Sequence, residues 1–217
     1  GGWGRGGVCG LGALAMCEAY GREGVAPGDV GVSGVGWGWQ GGMGMNVGRP
    51  AERKGGLPVE VHGETVNRVC GSGMQAVVHA VEAIRVGYVD AMVAGGTESM
   101  SNAPYLLKGA RWGYRMGNAE AIDSMLNEGL TCAIGLTPMG ITAEEVASRY
   151  NVSRTDQDAF AAESPARAVQ AIANGRFQAD DVAVPVPQSH SDARQRHPHW
   201  NPRPGTQPQK TTQSTHT

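Results

Sequence analysis

Between Glu64 and Gly96 the chain sets an extended run, a long apolar run and a second short apolar run in order, and few folds accept that sequence of elements. Glu64–Val69 reads as a short buried strand or extended segment. From Gly73 to Val86, residues such as Met74, Val77, Val78, Val81 and Ile84 put apolar groups on nearly every helical face. A helix apolar all round is predicted to be buried all round, and Gly87 supplies a C-terminal cap. Asp90–Gly96, "DAMVAGG", is a short apolar run closed by two glycines, the pattern of a central strand. Strand, helix and strand at this spacing predict an α/β layered domain. The 217 residues suffice for one such domain with a smaller lobe, and for a sizeable core.

The flanking regions are less regular. Leu11–Gly24 reads as an amphipathic helix ending near a glycine, and "APGDVGVSGVGW" as a turn leading into a weak strand. About half of the 34 glycines fall in the first fifty residues. In "GVGWGWQGGMGM", Gly34–Met45, each glycine removes a packing side chain and adds unfolded-state entropy. Residues 97–140 lack periodic aliphatics, and so long a loop predicts a separate small lobe with a function. "GITAEEVASRY" returns to helix, with Thr142 and Glu145 at capping-box spacing. Ser153 opens a second helix to about Asn174, closed by Gly175, in which Pro165 predicts a kink or break. From Gln188 the chain is rich in Pro, Gln, His, Ser and Thr, a composition predicted to be disordered. No internal repeat is visible.

Charge and cysteine usage narrow the function. A net charge of −2 and a pI near 6.3 carry no basic surplus for nucleic acid, and no basic amphipathic helix marks a membrane surface. The apolar runs are too short to span a bilayer. "GGWGRGGVCG" has no charged leader before an apolar stretch, and without a starting Met the chain is expected to lack its true beginning. Cys9, Cys17, Cys70 and Cys132 are widely spaced, with neither a Cys-x-x-Cys pair nor a metal-ligand cluster, so reduced thiols in a cytoplasmic protein are expected. His62 is expected in a loop, His79 on a helix, and His197 and His199 in the solvated tail.

Cys70 invites two readings. It stands before Gly-Ser-Gly, where the apolar helix begins. At a helix N-terminus the unpaired N–H groups and the dipole stabilise an anion, which favours the nucleophilic thiolate. Gly71 and Gly73 would let a substrate approach the backbone and leave N–H groups for a developing oxyanion, a logic that suits acyl transfer. The other reading is a buried structural cysteine inside a well-packed helix.

"TVNRVCGSGMQAVVHAVEAIRVGYVDAMVAGGTESMSNAPYLL" closely resembles the nucleophile region of thiolases, with Asn67–Gly73 as Asn-x-x-Cys-Gly-Ser-Gly and Gly95–Ser101 as the second motif. "SNAPYLLKGARWGYRMG" and "MGITAEEVASRYNVSRTDQDAFAAES" continue the likeness and look most like the acetyl-CoA acetyltransferase branch. The likeness is strong over about 56–187, faint over 10–55 and lost after Gln188. It implies a layered αβα half-fold with a mixed sheet and a partial loop domain, incomplete relative to the two-half family fold. It divides the chain into an α/β core at 1–101, a loop-domain-like lobe at 102–187 and a tail at 188–217. It implies Cys70 as the acylated nucleophile, Gly71 and Gly73 at the oxyanion, and Met116, Leu130 and Met139 along the coenzyme A path. Glu98 and Ser99 are expected to satisfy backbone groups at a strand end. Acetyl-CoA or another acyl-CoA is then the substrate, with no metal or redox cofactor, a homo-oligomeric assembly and a place in fatty acid metabolism.

The sequence also departs from that pattern. The family's activating histidine, its late cysteine and its enolate-binding asparagine match nothing after Gln188, and His197-Pro198 lacks the preceding glycine. Pro138 stands where the branch usually carries histidine. The first strand of the fold is absent and expected at the sheet centre, where its loss would leave two neighbours unpaired. Residues 1–55 read as a degenerate version of the family, with Pro50 entering a helix, and the reading frame is expected to depart near Gln188. The fragment is therefore expected to be nearly inactive. The competing readings are a non-enzymatic coenzyme A-binding or subunit-association fragment, and a chain too damaged to fold.

Overall fold

The computed structural model describes residues 7–188 and 191–197. It divides into two compact units, Gly1–Pro138 and Met139–Thr217, so the irregular segment up to Pro138 groups with the sheet.

The first unit is built on three parallel strands, β1 (Val32–Gly36), β2 (His62–Val66) and β3 (Met92–Gly96), in the order β2-β1-β3. Three helices accompany them: α1 (Gly7–Arg22), α2 (Gly48–Lys54) and α3 (Ser72–Arg85). The alternation along β1 assigns the two faces of the sheet. Val35 joins Cys9, Met16, Trp37, Val47 and Ala51 in a buried cluster shared with α1 and α2. On that same face Ser33 Oγ donates 2.5 Å to Oε2 of Glu52 on α2. Gly34 and Gly36 face α3: a Cβ on Gly34 would meet Ala76 at 3.5 Å, and one on Gly36 would meet the Gly73 Cα at 2.7 Å. A strand read as weakened by glycine is the central strand of the described sheet, and Gly36 is what lets α3 lie so close; a Cβ on Gly34 would first meet the Met92 methyl at 2.8 Å and Ala76 only at ordinary contact distance.

Several expectations change here. β1 pairs directly with both neighbours, Val35 opposite Thr65 on one side and Gly95 on the other, so no gap remains for a missing central strand. Any further strand of this sheet would add at an edge. β3, expected to be central, lies at the end of the described sheet because β1 holds the middle. All pairing in this sheet is parallel; among the described residues antiparallel pairing occurs outside it, in two ribbons and the single bridge of Thr131 with Pro138, one ribbon being the short pair β4 (Tyr105–Leu106) and β5 (Ile122–Asp123). Helix α3 buries Ser72, Ala76 and Ala80 against the sheet, while Met74, Val77, Val78, Val81 and Ile84 are exposed. Its apolar residues reach every face, but the sheet covers one. His62, expected in a loop, begins β2.

Glu52 is fully buried, which its sequence context did not signal. Besides Ser33 it has Arg49, whose guanidinium pairs with its carboxylate and also donates to the carbonyls of Val59 (2.9 Å) and Val61 (2.5 Å). A buried carboxylate persists only with such partners. Pro50 falls in the first turn of α2, where a missing N–H is tolerated. A smaller cluster of Val30, Leu57 and Val61 closes the other end of this layer.

The second unit contains α4 (Met139–Tyr150), α5 (Arg154–Ala173) and the antiparallel ribbon of β6 (Val184–Gln188) and β7 (Ser191–His197). Ser153 caps α5, its Oγ accepting from the Asp156 N–H at 3.1 Å. Thr142 lies inside the first turn of α4 and not at its cap, because the helix starts at Met139. Helix α5 runs through Pro165 without the break that was one of the two outcomes expected there, a kink being the other. In the segment expected to be disordered from Gln188, Gln188 ends β6 and Ser191–His197 form β7, while residues 189–190 and 198–217, His199 among them, lie outside the described residues.

Candidate functional site

The three parallel strands end at Gly36, Val66 and Gly96, and the segments that follow them line one cavity of about 530 Å³. Gly36–Trp39, Asn67–Gly73 and Gly96–Met100 contribute to its wall, joined by Glu128–Leu130 from a π-helical turn, Met125–Leu130. The crevice beyond the carboxyl ends of parallel strands is where open α/β sheets place their ligands. Cys70 lies in that lining and is exposed, so the reading of a sealed structural thiol does not hold; the buried cysteine is Cys9.

The loop presenting Cys70 is tightly held. Val69, a β-branched residue, has φ +50°, a backbone state such residues rarely adopt. Its N–H donates 3.1 Å to Asn67 Oδ1, and its carbonyl accepts from the Ser72 hydroxyl at 2.6 Å. Ser72 Oγ also accepts from the Arg68 N–H at 2.9 Å, and Asn67 Nδ2 donates 3.1 Å to the Gly38 carbonyl. Two side chains of the Asn67–Gly73 motif thus over-determine a strained turn, as is typical of functional sites. Cys70 precedes the first helical residue of α3 by two positions, with Gly71 at the N-cap.

The two glycines expected at the oxyanion differ. The Gly71 N–H is already committed to the Arg68 carbonyl at 3.0 Å. The Gly73 N–H makes no hydrogen bond to a described residue, and Gly73 lines the cavity. Leu130 lines it too. Met116 does not: it is 95% exposed and absent from the wall. Met139 opens the second unit.

The rest of the wall was not singled out from sequence as a site. Glu98 Oε2 accepts from the N–H groups of Gly38 (2.7 Å) and Trp39 (3.2 Å), which is the backbone-satisfying role expected of it. Trp37 is buried, and its indole donates 2.9 Å to the Trp39 carbonyl. The one signal that could have found these residues is position, since each follows directly on a strand end. No histidine is among the described residues that line the cavity; His79 pairs with Glu64 at 2.9 Å and is not in its wall. Cys132 belongs to a tight turn whose Thr131 and Pro138 bridge each other. The Gly135 N–H, together with that of Ile134, holds its thiol below the ordinary cysteine value. Among the described residues no group of three His, Cys, Asp or Glu is arranged to hold a metal, and no helix is long and apolar enough to cross a membrane.

Comparison with known proteins gives the family of the chain. The chain is 46% identical over 182 residues to an "Acetyl-CoA acetyltransferase" of Chromobacterium violaceum, covering 84% of this chain and 46% of that protein. It is 42% identical over 196 residues to a protein of the same name from Pseudomonas aeruginosa, covering 90% and 50%. A "Probable acetyl-CoA acyltransferase" of Staphylococcus aureus is 41% identical over 178 residues, covering 82% and 45%. The chain thus spans about half the length of the curated relatives it matches. The family model described as "Thiolase, N-terminal domain" matches residues 7–207, running through the glycine-rich segment and beyond Gln188, where the likeness read from motifs ends. By that match, over most of its length, the chain belongs to the thiolase family.

Proposed function

We propose that this chain carries the acyl-accepting half of a thiolase-type acetyl-CoA acetyltransferase, with Cys70 as the nucleophile. The Cys70 sulfur, as thiolate, attacks the carbonyl carbon of an acetyl thioester and the carbonyl oxygen takes the charge. Collapse breaks the bond to the coenzyme A sulfur, which leaves as thiolate and is reprotonated by solvent, and the acetyl group stays on Cys70. The Gly73 N–H is the donor left for the oxyanion. Leu130 meets the acyl end, and Met116 would meet only parts of coenzyme A outside the cavity. The observation that carries the reading is the exposed Cys70 on a strained, braced loop in the wall of a cavity at the strand ends.

No histidine is among the described residues of that wall, and acylation without the activating histidine of the family is expected to be slower by about 10²- to 10⁴-fold. The chain is therefore expected to acylate once and slowly, in the cytoplasm, with no metal or redox group, and not to turn over alone. Intact-protein mass spectrometry after incubation with acetyl-CoA should find one acetyl group, mapped to Cys70 and missing in Cys70→Ser. No adduct at Cys70 after prolonged incubation at high acetyl-CoA refutes the proposal. A second reading, a non-enzymatic association fragment, is favoured by the exposed apolar face of α3. It predicts complex formation with a complete thiolase in size-exclusion chromatography even when Cys70 is Ser.

A further inference from the structure

We propose that Trp39 sets the length of acyl chain that Cys70 can carry, an inference that rests on the acyl-transfer reading of Cys70. Trp39 shares the cavity wall with Cys70, Gly73 and Leu130. Its backbone is fixed on both sides: the N–H donates to Glu98 at 3.2 Å and the carbonyl accepts from the Trp37 indole at 2.9 Å. Gln40 Nε2 adds a bond of 3.2 Å to the Trp37 carbonyl. The indole ring of Trp39 lies directly against Gly129, where an added Cβ would fall inside the ring. A large residue at 39 and the smallest residue at 129 are thus complementary, and no larger side chain fits at 129 with the ring in place.

The indole is placed by shape. Its Nε1 is buried and has no hydrogen-bond partner among the described residues, so no polar contact among them accounts for the ring being there. What it does is occupy volume in the cavity that holds the nucleophile, on a backbone that cannot swing aside. A pinned aromatic wall of this kind discriminates by length: a two-carbon acyl group fits beside it, and a longer one must displace it. Apolar pockets separate homologues by roughly tenfold or more per methylene when their walls do not yield.

The test measures single-turnover acylation of Cys70 by acetyl-CoA and by hexanoyl-CoA, read by intact mass, for the parent chain, Trp39→Phe and Trp39→Leu. The parent should favour acetyl. Trp39→Leu should raise the hexanoyl-to-acetyl rate ratio at least tenfold, and Trp39→Phe should fall between. Calorimetric binding of S-hexyl-coenzyme A, a thioether that cannot acylate, gives a parallel readout and should tighten in both variants. Circular dichroism identifies a variant that fails to fold, and Trp39→Phe, the smaller change, then decides. A ratio within twofold of the parent in a folded variant, with unchanged thioether affinity, overturns the role of Trp39 while leaving Cys70 acylation standing. Absence of any Cys70 adduct with tighter thioether binding in the variants overturns the acyl-transfer reading and leaves Trp39 as the length determinant.

Discussion

Gly36 and Gly95 lie on neighbouring strands one register step apart, and the same methyl group added to each should move stability in opposite directions. A Cβ on Gly36 would stand 2.7 Å from the Gly73 Cα and nearer still to the Gly73 nitrogen and Ser72 carbonyl carbon. These are backbone atoms at the start of α3, which cannot rotate out of the way. A Cβ on Gly95 meets nothing within 4 Å. In both variants alanine restricts the unfolded chain, worth about 0.4–1 kcal/mol of stabilisation where the native backbone accepts it. At Gly36 that gain is opposed by overpacking, typically about 1–3 kcal/mol, and larger when backbone must move. Gly95→Ala should therefore gain about 0.5 kcal/mol, Gly36→Ala should lose about 1–2 kcal/mol, and the two should differ by about 2 kcal/mol. Urea unfolding followed by tryptophan fluorescence reads this as midpoints moving apart at constant slope. Because α3 carries the Gly73 N–H beside Cys70, Gly36→Ala should also slow Cys70 acylation while Gly95→Ala leaves it unchanged. A Gly36→Ala protein as stable as the parent, at the same slope, would refute the claim that glycine here permits the helix to approach.

Two further outcomes follow from the buried and the titrating groups. Arg49→Ala strands the Glu52 carboxylate with Ser33 as its remaining side-chain partner and should cost about 3 kcal/mol, read as a lower urea midpoint; a loss below about 1 kcal/mol would show that the pair is dispensable. Hydrogen bonds from Gly135 and Ile134 to Cys132 favour its thiolate, so alkylation of Cys132 by iodoacetamide should rise at lower pH in the native protein than in urea. The linked stability is present above the unfolded pKa and disappears as pH falls through the folded value; identical native and unfolded alkylation profiles would refute it.

Local pattern carried part of the fold and part of the site. Helix α3, its flanking strands and the placement of Cys70 ahead of α3 were legible because periodicity, glycine punctuation and a helix start are all written within a few residues. Strand order was not, since pairing of β1 with both neighbours joins residues thirty or more positions apart. The glycines of β1 were misjudged because a strand glycine has two meanings, lost packing or close approach, and only the neighbour chooses between them. Burial of α3 was misjudged for a related reason: apolar residues on every face state what a helix needs covered, not what covers it. Trp37, Trp39 and Glu98 gave no local sign of a site, since each becomes wall only when three strand ends converge. Met116 carried the chemistry expected of a lining residue and still lies outside the cavity, because a flexible apolar side chain says nothing of its own address.

The exposed face of α3 bears on both readings of function. Met74, Val77, Val78, Val81 and Ile84 each retain a large share of their surface in water. Complete burial of such a side chain is worth about 1.5–3 kcal/mol, so covering the parts still exposed would contribute on the order of 5 kcal/mol in all. That exceeds what the strained Cys70 turn is expected to cost, about 1–3 kcal/mol. The two features are mechanically joined, because the turn ends where α3 begins and Ser72 belongs to both. Whatever covers the helix therefore also steadies the loop that presents the thiol. Association and acylation are then coupled properties of one helix: a partner seated on its outer face should hold Cys70 in its reactive geometry, and a chain without one should react more slowly for the same sequence at the site.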